Sequence, residues 1–572
     1  QNPSPDAGKV LRDTLGKTSP KVQIRIISLL GDRRDTESVE AIGGLVFSAD
    51  KQVGEAAVTA LGKIGGADAR KVLAQARAKG DVDLKFAASD AYLRCAEDLA
   101  FDGEHEQAIA IYKELAAQDE VPIFRSAAIK GLADIGGSDA VPLVIAALRD
   151  QNRMVRITAG GCVRTMQGEG VTELFAAELA GTPPAEQVLL IGALADRGDA
   201  VGLPAIIVAA KSKDPGIRKA ALQAVGRLGD ASSVGFLVEV TSGDNSSVER
   251  AAAINSLALL TGDGVDNAIT KNMQKSQPAV RPQLIQVLSD RNATSAVDAL
   301  LAETVNPESK VRRAAFKALA RLAGEKDIPS LLELLVKIQG ESGRRYAERA
   351  VIAVSRKITD EEKRADVVLS VLSSEKRIGV KCSLLRVLGG IANSKSLDTL
   401  AVASQRTDTT VRDTAVRTLV KWPNASAAEV LLVIYSETQN PVHRPLALRG
   451  FVRLLALPAG SRPVEKTLEM CVIAMSRTRS PEERKLVLSG LRNVGDPKAL
   501  TMVEPFFQDA VVRAEAATAA MRIAREIAQV HPDKARAAMN KLLAVLENPA
   551  LREQAEAIIR QIDEVGKLAQ DK

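Results

Sequence analysis

"SKDPGIRKAALQAVGRLGD", residues 212–230, decides the fold. A second stretch, "NPESKVRRAAFKALARLAG" at 306–324, reads as nearly the same line, with Val311 where the first has Ile217. Taking Ile217 as an anchor, the apolar residues Ala221, Val225 and Leu228 follow at offsets 4, 8 and 11. That spacing traces one face of an α-helix. Asp214 stands three residues before the anchor as an N-cap, and Pro215 follows at the first helical position. Gly229 marks the stop, as do the glycines of "IGG" at 64–66 and 135–137.

The line recurs along the chain. Equivalent anchors fall at Val22, Val53, Leu84, Phe124, Val155, Glu186, Ile217, Val248, Val280, Val311, Tyr346, Val380, Val411, Val442, Glu483, Val512 and Leu551. Nine of the sixteen spacings between them are 31 residues. A fixed period of this size is the mark of a solenoid. Offset 4 is apolar in every unit and Ala in eleven, which lets neighbouring helices approach closely. Leu dominates offset 8; Ser256 breaks that rule, although Leu257 lies beside it. Caps are expected at Asp50, Asp81, Asn152, Asp214, Asn245, Asp408, Asp509 and Asn548. Pro20, Pro122, Pro184, Pro215, Pro278, Pro481 and Pro549 follow caps at N1. A second apolar helix follows each turn, as in "AVPLVIAALRD" (140–150) and "DIPSLLELLVKI" (327–338). The expected fold class is therefore all-α, a right-handed α-solenoid of about 17 stacked helical hairpins. Each hairpin buries its apolar face only against its neighbours.

Composition agrees. Of 572 residues, 46% are apolar and only 3% aromatic, with one Trp. This suits close-packed helices and not a stacking platform for bases or sugars. The net charge of +6, from 77 basic and 71 acidic residues, is too small to signal nucleic-acid binding. No apolar run reaches the ~18 residues of a membrane span. The chain starts at Gln1 without Met, and "QNPSP" reads as a mature N-terminus, so export to the periplasm or outside is expected, with the cytoplasm as the alternative.

The pattern D-P-x-[VI]-R-x-x-A-[AL]-x-A-[LVG]-G-x-[LI]-G-D, as in Asp214–Asp230, resembles the short bacterial HEAT repeat also found in phycobilisome lyases. The whole chain also resembles the HEAT arrays of exported planctomycete and verrucomicrobial proteins. The resemblance implies one continuous solenoid over 1–572. Within it, 97–122 reads either as a tetratricopeptide-like insertion around Gly103, Ala108, Tyr112 and Ala116 or as a lengthened hairpin. The repeats are irregular over 340–395, where a contact site and simple drift both remain open, and 525–572 forms C-terminal capping helices.

One position directly after the anchor is basic in eleven units: Lys85, Arg125, Arg156, Arg218, Arg281, Arg312, Lys381, Arg412, Arg484, Arg513 and Arg552. Stacking aligns these as a ladder along the second helices, which form the concave side in HEAT-type folds. Two readings follow: a structural ladder in which each base bonds a cap carboxylate or a carbonyl, or a groove for an anionic partner. The structural ladder is preferred, because Asp or Asn recurs four residues earlier.

Cys95, Cys162, Cys382 and Cys471 are far apart, and so are His105, His443 and His531, so no metal site is expected. Cys95 and Cys162 fall on core offsets, Cys382 is expected to be more exposed, Trp422 falls at offset 11, and His443 occupies the ladder position. No nucleophile elbow, Walker loop or dinucleotide fingerprint occurs. The expectation is a non-catalytic protein-binding scaffold without a cofactor, its partner another protein, its oligomeric state open. The alternatives are an accessory subunit of a phycobilin-lyase-like, carbohydrate or redox enzyme, or a glycan- or polymer-recognising surface.

Overall fold

The computed structural model describes residues 5–458, 460 and 462–570. The "QNPSP" reading of the N-terminus rests mainly on residues outside these. Among the described residues there are 34 α-helices, ten short 3-10 segments and no strand. The chain divides into two compact units, residues 1–291 and 292–572.

In the first unit every anchor through Val280 lies in, or directly caps, a helix, from Pro20–Asp32 to Arg281–Asp290. In the second the anchor helices run from Ser309–Leu322 to Pro549–Gln570. Within each unit consecutive anchor helices pack on one another, as Pro215–Leu228 packs on Pro184–Arg197 and on Ser247–Leu259. Small residues make this possible. A Cβ on Gly226 would sit 2.6 Å from the Cα of Ser256, and one on Gly62 would sit 2.8 Å from the Cβ of Ala91. The offset-4 residues Ala57, Ala88, Ala128, Ala159, Ala221 and Ala315 are all fully buried.

Most of the shorter companion helices pack more extensively against the anchor helix that follows than against the one before, as Ala428–Glu437 does against His443–Leu455; His105–Leu115 and Pro532–Leu543 are exceptions. The hairpin is thus companion-then-anchor, one half-unit out of phase with the helix-then-companion order suggested by the sequence. The cause is the short connector between companion and anchor, which is tied down by polar side chains described below.

Caps form as the sequence implies at seven of the eight expected positions. Asp214 accepts from the amides of Gly216 and Ile217, and Asp408 from those of Thr410 and Val411. Asp50, Asp81, Asn152, Asp509 and Asn548 do the same in their own turns. Asn245 does not. It turns back to the carbonyl of Val240, and Ser246 caps instead in a capping box with Glu249. Pro278 likewise lies in a turn ahead of its helix.

That one-residue shift moves the anchor of this repeat from Val248, which is exposed, to the buried Glu249. Leu257 then occupies offset 8, and the apparent exception at Ser256 disappears. The same correction applies twice more. Asn440 caps the amides of Val442 and His443, so His443 is the anchor and Val442 is exposed. In Glu341–Ser355 the buried set Ala347, Val351 and Val354 places the anchor at Gly343, not Tyr346.

The added length near 97–122 is carried by the helices Val82–Phe101 and His105–Leu115, which pack against each other. At the C-terminal end Arg513–Ile527, Pro532–Leu543 and Pro549–Gln570 pack in series.

Candidate functional site

The ladder lies on the first turn of each anchor helix, where the chain enters from the companion. There the guanidinium folds back over the connector and donates to its carbonyls. Arg218 Nη1 reaches the carbonyls of Ser212 and Lys213 at 2.9 and 2.8 Å. Arg312 reaches those of Asn306 and Pro307 at 2.7 and 2.6 Å. Arg156 binds those of Asp150 and Gln151, and Arg281 those of Ser276 and Gln274. Arg125, Arg513 and Arg552 make equivalent bonds. Most of these groups are half-buried; Arg125 is buried.

With the corrected anchors, Arg250, Arg344 and Arg444 join the ladder, bonding the carbonyls of Asn245, Ile338 and Tyr435. Where the base is replaced by Gln, the bond survives: Gln23 donates to Leu15 and Gln187 to Leu179. At Gly54 a side chain has no room, because a Cβ would lie 2.7 Å from the Val46 carbonyl. These members are hidden in the sequence because an apolar residue lies beside or near each true anchor: Val248 beside Glu249, Val442 beside His443 and Tyr346 near Gly343. The N-cap residue, counted four positions back, was the usable signal.

The cap carboxylates are mostly spent on amides, so the ladder's ion pairs reach other acids. Arg218 Nε contacts Glu249 in the next repeat at 2.5 Å, and Arg125 contacts Asp150 at 2.7 Å. Arg444 contacts Glu483 at 2.9 Å, and among these pairs only Arg484 reaches a cap carboxylate, Asp509 of the next repeat, at 2.9 Å. The amide of Ser246, together with the Arg218 guanidinium, holds the Glu249 carboxyl below the usual carboxylate range. Burial pulls Glu483 upward, but the bonds from Arg444, the Arg479 amide and Tyr435 outweigh it and leave it lowered. Three ladder bases differ. Lys85 is exposed, Lys381 lines a groove of about 610 Å³ beside Asp398, Arg406 and Asp408, and Arg412 has a buried Nε without a partner.

A second set of ties, not anticipated from the sequence, joins the far ends of successive anchor helices. Arg197 Nη1 donates to the carbonyls of Val163 and Met166, and Arg291 Nη1 to those of Leu257, Ala258 and Leu260. In the second unit Lys357 donates to Ala323, and Arg453 to Val420 and Trp422. These carbonyls are the orphans of a helix C-terminus.

The cysteines are free and all buried, Cys382 included, contrary to its expected exposure. Its Sγ rests 3.7 Å from the Thr410 carbonyl, because offset 2 of this helix faces the next repeat. Burial pushes the thiols of Cys95 and Cys162 up to about 11 and that of Cys471 to about 12. Trp422 is fully buried, its Nε1 donating to Asn424 and Ser426. His443 is buried as an anchor, its Nε2 3.1 Å from Asp413 Oδ1, and so is not on the ladder.

The irregular stretch carries an open groove of about 560 Å³ across three stacked anchor helices, Glu341–Ser355, Ile378–Ile391 and Thr409–Val420. Arg386 clamps Glu348 with Nη2 at 2.6 Å and Nε at 3.1 Å. Arg345 pairs with Glu341 and Arg417 with Asp413. Gly389 and Gly390 form part of the lining, where Cβ atoms would collide with Thr418 and Ile352. Among the described residues no group of three or more His, Cys, Asp or Glu side chains could hold a metal, and no helix is long and apolar enough to cross a membrane.

The repeats match the family model for HEAT repeats over residues 8–92, 109–189, 171–258 and 267–352. Together these cover more than half of the chain, and the protein belongs to the HEAT-repeat family. A search of curated proteins found no sequence match. Among solved structures the chain is similar to yeast importin-β, Kap95p, at 14% identity over 98% of this chain and 89% of that one, with a TM-score of 0.32. It is also similar to the karyopherin Kap121p bound to Nup53p, at 12% identity over 98% and 74%, with a TM-score of 0.38.

Proposed function

We propose that the chain is a non-catalytic scaffold that holds another protein against its row of anchor helices. The observation that carries this reading is the division of labour among its polar groups. The ladder is mostly consumed in tying each anchor helix to its own connector, and the helix-end bases in tying it to a neighbour, while much of each anchor helix's outward strip stays exposed to solvent. Stacking turns those strips into one extended surface within each unit, the kind that solenoids offer to large partners. Buried thiols with raised pKa values are poor nucleophiles.

The test is cross-linking of the full chain in an extract of its native source, followed by mass spectrometry. Cross-links from one protein should concentrate on anchor-helix lysines such as Lys130, Lys219, Lys317 and Lys421 over companion-helix lysines. Recovery of a pigment or a glycan in place of a protein would replace this reading.

A further inference from the structure

With the anchors corrected, a charge pattern emerges in the second unit. The five anchors Val311, Gly343, Val380, Val411 and His443 head helices that pack one on the next. Offsets 2, 6 and 10 form the strip turned away from the buried face, with the exception of Cys382, which is buried against the next repeat. Of the fifteen residues at those offsets, ten are Lys or Arg and one, Asp413, is acidic. Offset 6 is basic in all five: Lys317, Arg349, Arg386, Arg417 and Arg449. All but Arg386 are exposed. In the first unit the same offsets of nine repeats hold five bases and six acids, so the pattern is not a property of the repeat itself. The anchors Glu483, Val512 and Leu551 do not continue it, with two bases and one acid.

Structural work accounts for part of the strip. Arg345, Arg386 and Arg417 pair with acids, and Arg453 caps a helix end. Arg313, Arg349, Lys421 and Arg449 have no side-chain partner among the described residues. Bases closer together than the Debye length of about 8 Å repel, so a strip of this sign costs stability unless an anion compensates it.

We propose that this strip, from Arg313 to Arg449, binds an acidic segment of a partner protein. The proposal rests on the scaffold reading and names the chemistry of its partner. Five helices spaced 8–10 Å apart span roughly 35 Å, the length of about ten residues of extended chain. Carboxylates on every second or third residue of such a segment can address the free bases one by one. A phosphate backbone fits less well. Its continuous charge would pass over Glu341, Glu348 and Asp413, and the grooves along the strip hold only two rings, Tyr346 and the buried Phe316.

The probe is a labelled peptide of about twelve residues alternating Glu and Ser, titrated by fluorescence anisotropy onto the full chain. Binding should be saturable and should weaken with salt. The triple variant Arg313→Glu, Arg349→Glu, Arg449→Glu should lose about tenfold or more in affinity, and the corresponding Gln triple should lose less in the same direction. Reversing Arg94, Lys130 and Lys219 in the first unit should leave binding unchanged. The proposal is overturned if the peptide does not bind, if both reversal sets weaken it equally, or if a DNA duplex binds more tightly and is lost in the same triple variant. If the cross-linked protein partner survives the triple variant, this proposal fails and the scaffold reading stands; if no protein partner is captured at all, the scaffold reading fails.

Discussion

Arg444 grips Glu483 across the junction between two repeats, with Nε 2.9 Å from Oε1 and Nη2 3.1 Å from Oε2. The same guanidinium donates to the carbonyls of Tyr435 and Arg477 and lies over the Tyr435 ring, 4.2 Å from its centroid. One side chain therefore joins the ends of two companion helices and an acid. Removing one partner of a buried pair costs about 3–5 kcal/mol, because the other is left uncompensated. Arg444→Ala should lower the urea midpoint by that measure, and Arg444→Lys should recover little, since an ammonium cannot serve four acceptors in a planar fork. Recovery of full stability by Lys would show that only the charge matters.

Acid should loosen the repeat around Glu249. Its carboxyl is lowered in the folded chain, so its contribution is complete above the unfolded value of about 4.3 and fades as pH falls through the lower folded value. Glu249→Gln should be less stable than the parent at neutral pH, and the gap should close below about pH 4. Chemical unfolding at a series of pH values measures this; a gap independent of pH would contradict it.

Ala221 is fully buried where Pro215–Leu228 meets its neighbours. Ala221→Phe should overpack this contact, costing roughly 1–3 kcal/mol. Solenoid stability passes from neighbour to neighbour, so the loss should stay local to the first unit. Helix content followed by circular dichroism should begin to melt earlier, while the fluorescence of the single Trp422, buried in the second unit, should shift less. Equal shifts in both signals would show global coupling.

All four thiols should resist a maleimide or disulfide reagent in the native protein and react together with unfolding, because each is buried. Fast labelling of any one of them without denaturant would contradict the burial described for it.

The repeat was legible in the sequence because its signals are redundant: an N-cap, a Pro, an Ala at offset 4 and a Leu at offset 8 all report one register. Where one signal was trusted alone, the reading slipped. Apolarity points to Val248, Val442 and Tyr346 as anchors, yet Glu249, His443 and Gly343 hold those places. A buried Glu or His is acceptable there because Arg218 and Asp413 meet it from the previous repeat. The slip had a further effect on function. Counted from Tyr346 and Val442, offset 6 falls on Ile352 and Leu448, and the basic strip vanishes. The long-range ties were invisible for a different reason. Arg197 and Arg453 look like ordinary surface bases until the packing of the previous helix brings its last carbonyls beneath them.

Those ties give the array a direction. Arg197 serves Val163, Arg291 serves Leu257, and Arg453 serves Val420, each backward toward the N-terminus, while Arg356 reaches forward, to the Gly390 carbonyl. At the first three junctions the earlier repeat is finished by its successor. At those junctions, removing the later repeat strands acceptors, while removing the earlier one releases only flexible donors that water readily satisfies. Versions shortened at such a junction are not equivalent: the one that keeps the later repeats has the cleaner raw edge.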